Sequence, residues 1–114
     1  MPIDEVLEPD VARELIASNG ATVVDIRDDD DWHERRVPGA VHAFEGDLGV
    51  ALEGVDHQRP VIIVCGDGER SASLAAELRE RGREVASIEG GMKAWEGEKF
   101  PMQPSTDPDD DVRV

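Results

Sequence analysis

Four consecutive β-branched residues, Val61, Ile62, Ile63 and Val64, run directly into Cys65, the only cysteine of the chain. No polar residue interrupts the run, so it suits a strand covered on both faces, as in a parallel sheet flanked by helices. Gly66 to Glu69 supply a tight polar loop. Beyond it Leu74, Ala75 and Leu78 recur at helical spacing, and Gly82 ends the pattern. Ser71 is placed to cap this helix. Residues 61–82 therefore read as strand, loop and amphipathic helix, with the lone thiol where strand meets loop.

That position gives the thiol a chemical environment. A loop feeding a helix start directs unpaired backbone N–H groups at one point, and these groups favour thiolate over thiol. Gly66 and Gly68 allow the tight turn that gathers such donors into a nest. Arg70 follows Cys65 by five positions and adds a fixed positive charge. A thiolate there is a candidate nucleophile, and a persulfide formed on it is held by the same donors. The competing reading is a small buried residue closing a strand, a common fate of free cysteine. The loop context and Arg70 favour the reactive one.

Four stretches in order carry a family resemblance. Cys65-Gly66-Asp67-Gly68-Glu69-Arg70-Ser71 resembles the active-site loop of single-domain rhodaneses. Val24-Asp25-Ile26-Arg27, Val37-Pro38-Gly39-Ala40-Val41-His42 and Gly90-Gly91-Met92-Lys93-Ala94-Trp95 resemble the family's Asp-x-Arg, Ile-Pro-Gly-Ala and Gly-Gly-x-x-x-Trp segments. Asp31 and Trp32 match the acidic and aromatic positions of its next helix. Arg35 and Arg36 depart from it, standing where Gly-His is common. The resemblance implies a rhodanese-like α/β fold, a mainly parallel five-stranded sheet with helices on both faces, spanning residues 1–102. It also implies sulfur transfer: Cys65 takes sulfane sulfur from thiosulfate or another persulfide donor and passes it to cyanide or to a protein or other thiol acceptor. In that scheme Cys65 and Arg70 are catalytic. Gly66, Asp67, Gly68, Glu69, Arg70 and Ser71 bind the substrate, Arg70 through its charge and Ser71 by capping the helix or bonding the sulfur. Neither a cofactor nor a metal is required. Related phosphatases and arsenate reductases have one more residue between cysteine and arginine; only Gly66 to Glu69 intervene here. Asp67 and Glu69 are acidic where some thiosulfate-using members are basic, so their charge weakens dianion binding, least at high salt. A non-catalytic binding module or a persulfide sensor is the alternative reading.

The chain has 114 residues, enough for one domain with its own core. Its 27 acidic and 12 basic residues give a net charge of −15, which argues against nucleic-acid and anionic-membrane partners. The acids are spread along the chain and lysine occurs only at 93 and 99, a pattern that fits a halophilic, salt-rich cytoplasm. There the Debye length falls to about 3 Å at 1 M salt. One cysteine makes no internal disulfide, the first ten residues lack a signal-peptide pattern, and no run approaches a transmembrane helix. A cytoplasmic location follows as the expectation.

Elsewhere the pattern predicts strands at Ile3–Val6, Thr22–Ile26, Ala40–Ala43 and Glu84–Ile88, this being the last strand of the chain. Helices follow Pro9 and Asp28, with Asn19-Gly20 stopping the first, and a weak helical patch covers Val50, Ala51 and Leu52. Asp25 and Arg27 are read as loop tethers with no catalytic role. Asp28 to Asp31 suit a helix start better than a metal site. His33, His42 and His57 lack ligand spacing. Arg35 and Arg36 suit salt pairing, or docking of an acidic partner or anion. Trp95 is a core anchor, Phe100-Pro101 closes the domain, and residues 103–114 read as an acidic, mobile tail.

Overall fold

The computed structural model describes residues 4–18, 20–43, 52, 59–100 and 102–104. Five strands form one sheet: β1 (Val6–Leu7), β2 (Thr22–Asp25), β4 (Val41–His42), β5 (Val61–Val64) and β6 (Val85–Ile88). Their spatial order is β1-β6-β5-β2-β4, and every neighbouring pair is parallel. Helices α1 (Pro9–Ala17), α2 (Asp29–Glu34), α3 (Glu69–Glu80) and α4 (Gly91–Gly97) connect them. A two-residue ribbon pairs β3 (Arg35–Arg36) with β7 (Gln103–Pro104) in antiparallel fashion.

The unbroken apolar run is explained by the layers. Side chains alternate across the sheet. Val23, Ile62, Val64, Ala86 and Ile88 pack with Ala12 of α1 and Met92 and Trp95 of α4. Val24, Val61, Ile63, Val85 and Cys65 pack with Ala75, Leu74 and Leu78 of α3. Both faces are covered, so no strand position in the middle of the sheet is left for a polar residue facing water. Trp95 is 1% exposed and meets Phe100 edge-on, with ring centroids 5.1 Å apart. Among the described residues, no helix is long and apolar enough to cross a membrane.

Asp25, fully buried at the end of β2, holds Arg27 through its backbone N–H (2.9 Å) and its guanidinium (2.8 Å at Nη2). Arg27 Nη2 also donates to the Arg35 carbonyl at 2.6 Å, so the pair ties the loop after β2 to β3. Asp28 caps α2 by accepting the Asp31 N–H at 2.9 Å. Arg35 pairs with Glu96 at 3.1 Å, whereas Arg36 is buried with its guanidinium 4.5 Å from the Trp32 ring centroid. That burial removes Arg36 from any docking surface. His42 stacks on the same Trp32 ring with centroids 4.7 Å apart, and its Nε2 lies 2.8 Å from the Arg27 carbonyl oxygen.

Several boundaries differ from the sequence expectation. The first strand is Val6–Leu7, because Leu7, 3% exposed, is the residue that faces the core while Pro9 already begins α1. The chain after Met102 does not leave the domain at once, since Gln103 and Pro104 pair with Arg36 and Arg35. Leu52 is helical and buried. Val50, Ala51, His57, Pro101 and residues 105–114 lie outside the described residues.

Candidate active site

Cys65 directly follows β5, the middle strand of the sheet, and is 6% exposed. Three groups converge on its sulfur. The Gly68 N–H donates to Sγ at 3.2 Å, the Ser71 N–H donates at 3.4 Å, and Ser71 Oγ lies 3.2 Å away. The Ser71 hydroxyl also donates to the Gly68 carbonyl at 3.2 Å. A hydroxyl has one proton and two lone pairs. Facing a thiol, Ser71 can accept the S–H while donating to Gly68; facing a thiolate, it can turn its proton to the sulfur. The site is thus furnished to hold negative charge at Sγ.

The helix begins three residues earlier than a cap at Ser71 implies. Gly68 is the residue before α3, at φ +89°, and Ser71 stands inside the first turn rather than at the cap. Because the loop closes through a left-handed glycine, Ser71 is brought under the sulfur. Gly66 corrects a second expectation. Its φ is not positive and a Cβ there would meet nothing within 4 Å, so the loop's conformation does not demand glycine at 66. Gly68 does demand it: a Cβ would lie 2.9 Å from both the Gly91 nitrogen and the Ile88 carbonyl oxygen.

The turn after β6 holds this loop in place. Met92 N–H donates to the Cys65 carbonyl at 2.9 Å, and Lys93 N–H donates to the Gly66 carbonyl at 3.0 Å. A Cβ on Gly91, at φ +59°, would sit 2.5 Å from the Gly68 nitrogen and 2.6 Å from the Cys65 carbonyl oxygen. Two backbone segments therefore touch without side chains between them. In the sequence, Gly90-Gly91 stand only as part of the family's Gly-Gly-x-x-x-Trp segment, and Gly91, Met92 and Lys93 are not identified there as supports of the loop. The signal was the Gly-Gly pair itself, since consecutive glycines also mark close backbone approach.

The acidic loop residues are divided by the geometry. Asp67 Oδ1 accepts the Glu69 N–H at 3.0 Å and lies 3.9 Å from Cys65 Sγ. Its carboxylate is turned toward the thiol. Arg70 is exposed and lines an open cleft of about 530 Å³ with Asp67, Glu69, Ser73, Leu74 and Glu77. Three carboxylates thus share the cleft with the Arg70 guanidinium, and Cys65 is not part of its wall. Of the residues singled out from sequence, Cys65, Gly68 and Ser71 are in direct contact at the sulfur. Gly66 and Asp67 border them, and Glu69 and Arg70 stand on the cleft side of the loop.

A thiol at the end of a central parallel strand, cradled by the first turn of the next helix and braced by a Gly-Gly turn, matches a known domain. Residues 8–98 match the Rhodanese-like domain family. The chain belongs to that family. It is 36% identical over 98 residues to thiosulfate sulfurtransferase GlpE of Actinobacillus pleuropneumoniae, covering 85% of this chain and 91% of that one. It is 34% identical over 85 residues to the protein of the same name from Coxiella burnetii, covering 74% and 79%. The fold is similar to that of a rhodanese-related protein from Thermoplasma volcanium, with a TM-score of 0.78 at 20% identity over 88% of this chain and 98% of that one. It is also similar to a Rhodopseudomonas palustris protein of unknown function described as a possible tyrosine phosphatase. There the TM-score is 0.74 at 28% identity, over 87% and 84%.

Proposed function

We propose that this rhodanese-family chain is a sulfurtransferase that works through a persulfide on Cys65. The observation that carries the reading is the convergence of Gly68 N–H, Ser71 N–H and Ser71 Oγ on one sulfur. These donors stabilise the thiolate and then the persulfide, the two anionic states the chemistry passes through. With thiosulfate, the Cys65 thiolate attacks the outer sulfur. A Cys65 S–S bond forms, the donor's S–S bond breaks, and its electron pair leaves on sulfite. Cyanide or a thiolate then attacks the outer sulfur of the persulfide, and the Cys65 thiolate returns. No external oxidant or reductant enters either step.

The relatives named thiosulfate sulfurtransferase support this class of reaction. Loop length supports sulfur over a larger tetrahedral oxyanion, because only four residues separate Cys65 from Arg70. In this reading Gly66 to Ser71 bind the donor, Arg70 contributes charge, and Asp67 opposes dianions from close range. The net charge of −15 adds repulsion that salt relieves, which also fits a salt-rich cytoplasm. The expected test result is thiocyanate release from thiosulfate and cyanide that disappears in Cys65→Ser, with an apparent KM for thiosulfate that falls from dilute to molar potassium chloride. A KM that is flat or rises with salt refutes the electrostatic part. Activity retained in Cys65→Ser refutes the mechanism.

A further inference from the structure

We infer that Lys93 is a donor-recognition residue, supplying the positive charge that receives the anionic end of the sulfur donor beside Gly66. The inference rests on the sulfurtransferase reading above and adds a residue that lies outside the Cys65–Ser71 loop.

Lys93 is fixed next to the nucleophile by its own backbone, whose N–H donates to the Gly66 carbonyl at 3.0 Å. Gly66 is the residue directly after Cys65, and the space on its Cα is open, with nothing within 4 Å of a Cβ placed there. The Lys93 backbone and the open side of Gly66 thus lie next to each other, and this side is assigned to the donor for its approach. That side chain is exposed, and its ammonium has no ion-pair partner among the described residues. On a chain of net charge −15, this cation belongs to the residue whose backbone is bonded to Gly66 and takes part in no ion pair of the fold among the described residues. Lys99, the only other lysine, follows the far end of α4. The loop's own cation is in a different setting, because Arg70 shares its cleft with Asp67, Glu69 and Glu77. A flexible four-carbon stem lets an ammonium follow a charged group from approach to departure. With thiosulfate the dianionic charge leaves on sulfite, so the same ammonium serves donor and leaving group.

The test compares wild type, Lys93→Ala, Lys93→Glu and Lys93→Arg at low ionic strength, with thiosulfate as a dianionic donor and benzenethiosulfonate as a monoanionic one. For a cation about 6 Å from the donor, KM for thiosulfate is expected to rise roughly fourfold in the alanine variant and more than tenfold in the glutamate variant. The arginine variant keeps the wild-type KM, and kcat changes little throughout. The loss with benzenethiosulfonate is smaller, roughly the square root of the thiosulfate effect because the donor charge is halved. In molar potassium chloride the differences collapse. Active wild type with unchanged KM in Lys93→Glu overturns the assignment of Lys93 alone. Equal losses for both donors, or a loss shared by Lys93→Arg, also overturn it, since they indicate a disturbed loop rather than a missing charge. Wild type that transfers sulfur from neither donor overturns the sulfurtransferase reading, and this inference with it.

Discussion

Replacing Gly91 by alanine should injure the molecule far more than replacing Gly66, although only the second glycine is next to the nucleophile in sequence. At 91 the new methyl would lie 2.5 Å from the Gly68 nitrogen, 2.6 Å from the Cys65 carbonyl oxygen and 2.8 Å from the Gly66 carbonyl oxygen. All three are backbone atoms, so relief requires the whole loop to move. The left-handed φ of +59° adds about 1–2 kcal/mol for any residue with a Cβ. Overpacking adds about 1–3 kcal/mol. Separating the segments also stretches the Met92 to Cys65 and Lys93 to Gly66 hydrogen bonds. A loss of about 3 kcal/mol is expected, against a stability of roughly 5–15 kcal/mol for a domain of this kind. With a urea m-value of roughly 1.5 kcal/mol/M, the midpoint falls by about 2 M. Fluorescence of the buried Trp95 follows the transition. Gly66→Ala meets no neighbour and no positive φ, so its midpoint should stay within about 0.3 M of wild type. Equal shifts in the two variants, or a Gly91→Ala shift under about 0.5 M, would refute the claim that two bare backbones are in contact.

Three further outcomes follow from the same structure. Ser71→Ala removes a hydroxyl 3.2 Å from Sγ, and the rate of Cys65 alkylation at neutral pH should fall by roughly tenfold as the thiolate loses about 1–1.5 kcal/mol of stabilisation, with stopped-flow alkylation as the readout. Asp25→Ala leaves the Arg27 guanidinium without its buried carboxylate, and chemical denaturation should show a loss of about 3–5 kcal/mol. Asp31 is pushed above its ordinary value of 3.8, first by desolvation and then by repulsion from Asp28. A carboxyl with a raised folded-state pKa binds its proton more tightly when folded, so stability declines as pH rises through that range. Asp31→Asn should therefore melt higher than wild type at pH 7 and at the same temperature at pH 3, as followed by circular dichroism.

Much of this arrangement was legible in the residues. Val61 to Val64 announce a doubly covered strand because an unbroken apolar run leaves no side chain for a water-facing side, and the sheet does place α1 and α4 on one face and α3 on the other. Asp25 and Arg27 read as tethers in the sequence, and the tether is present. The cap was misplaced because Ser71 is a good capping residue, yet a left-handed Gly68 starts the helix first. Gly66 and Gly68 look alike in sequence. Their difference is set by what packs on them, the Gly90-Gly91 turn some 22 residues later, which local pattern cannot report. The pairing of Gln103-Pro104 with Arg35-Arg36 was invisible for the same reason: two polar residues make a strand only because a partner edge is there. The inward turn of Asp67 toward the thiol depends on the Glu69 N–H it accepts, a contact defined by loop geometry.

Intact-mass spectrometry of the reduced protein after exposure to thiosulfate in molar salt tests the central claim most directly. The account predicts one added sulfur, about 32 Da by the exchange chemistry of a single nucleophilic thiolate, removed by cyanide and absent from Cys65→Ser. Wild-type protein that gains no sulfur from thiosulfate or from a low-molecular-weight persulfide would contradict it, and the chain would then be a rhodanese-like binding module.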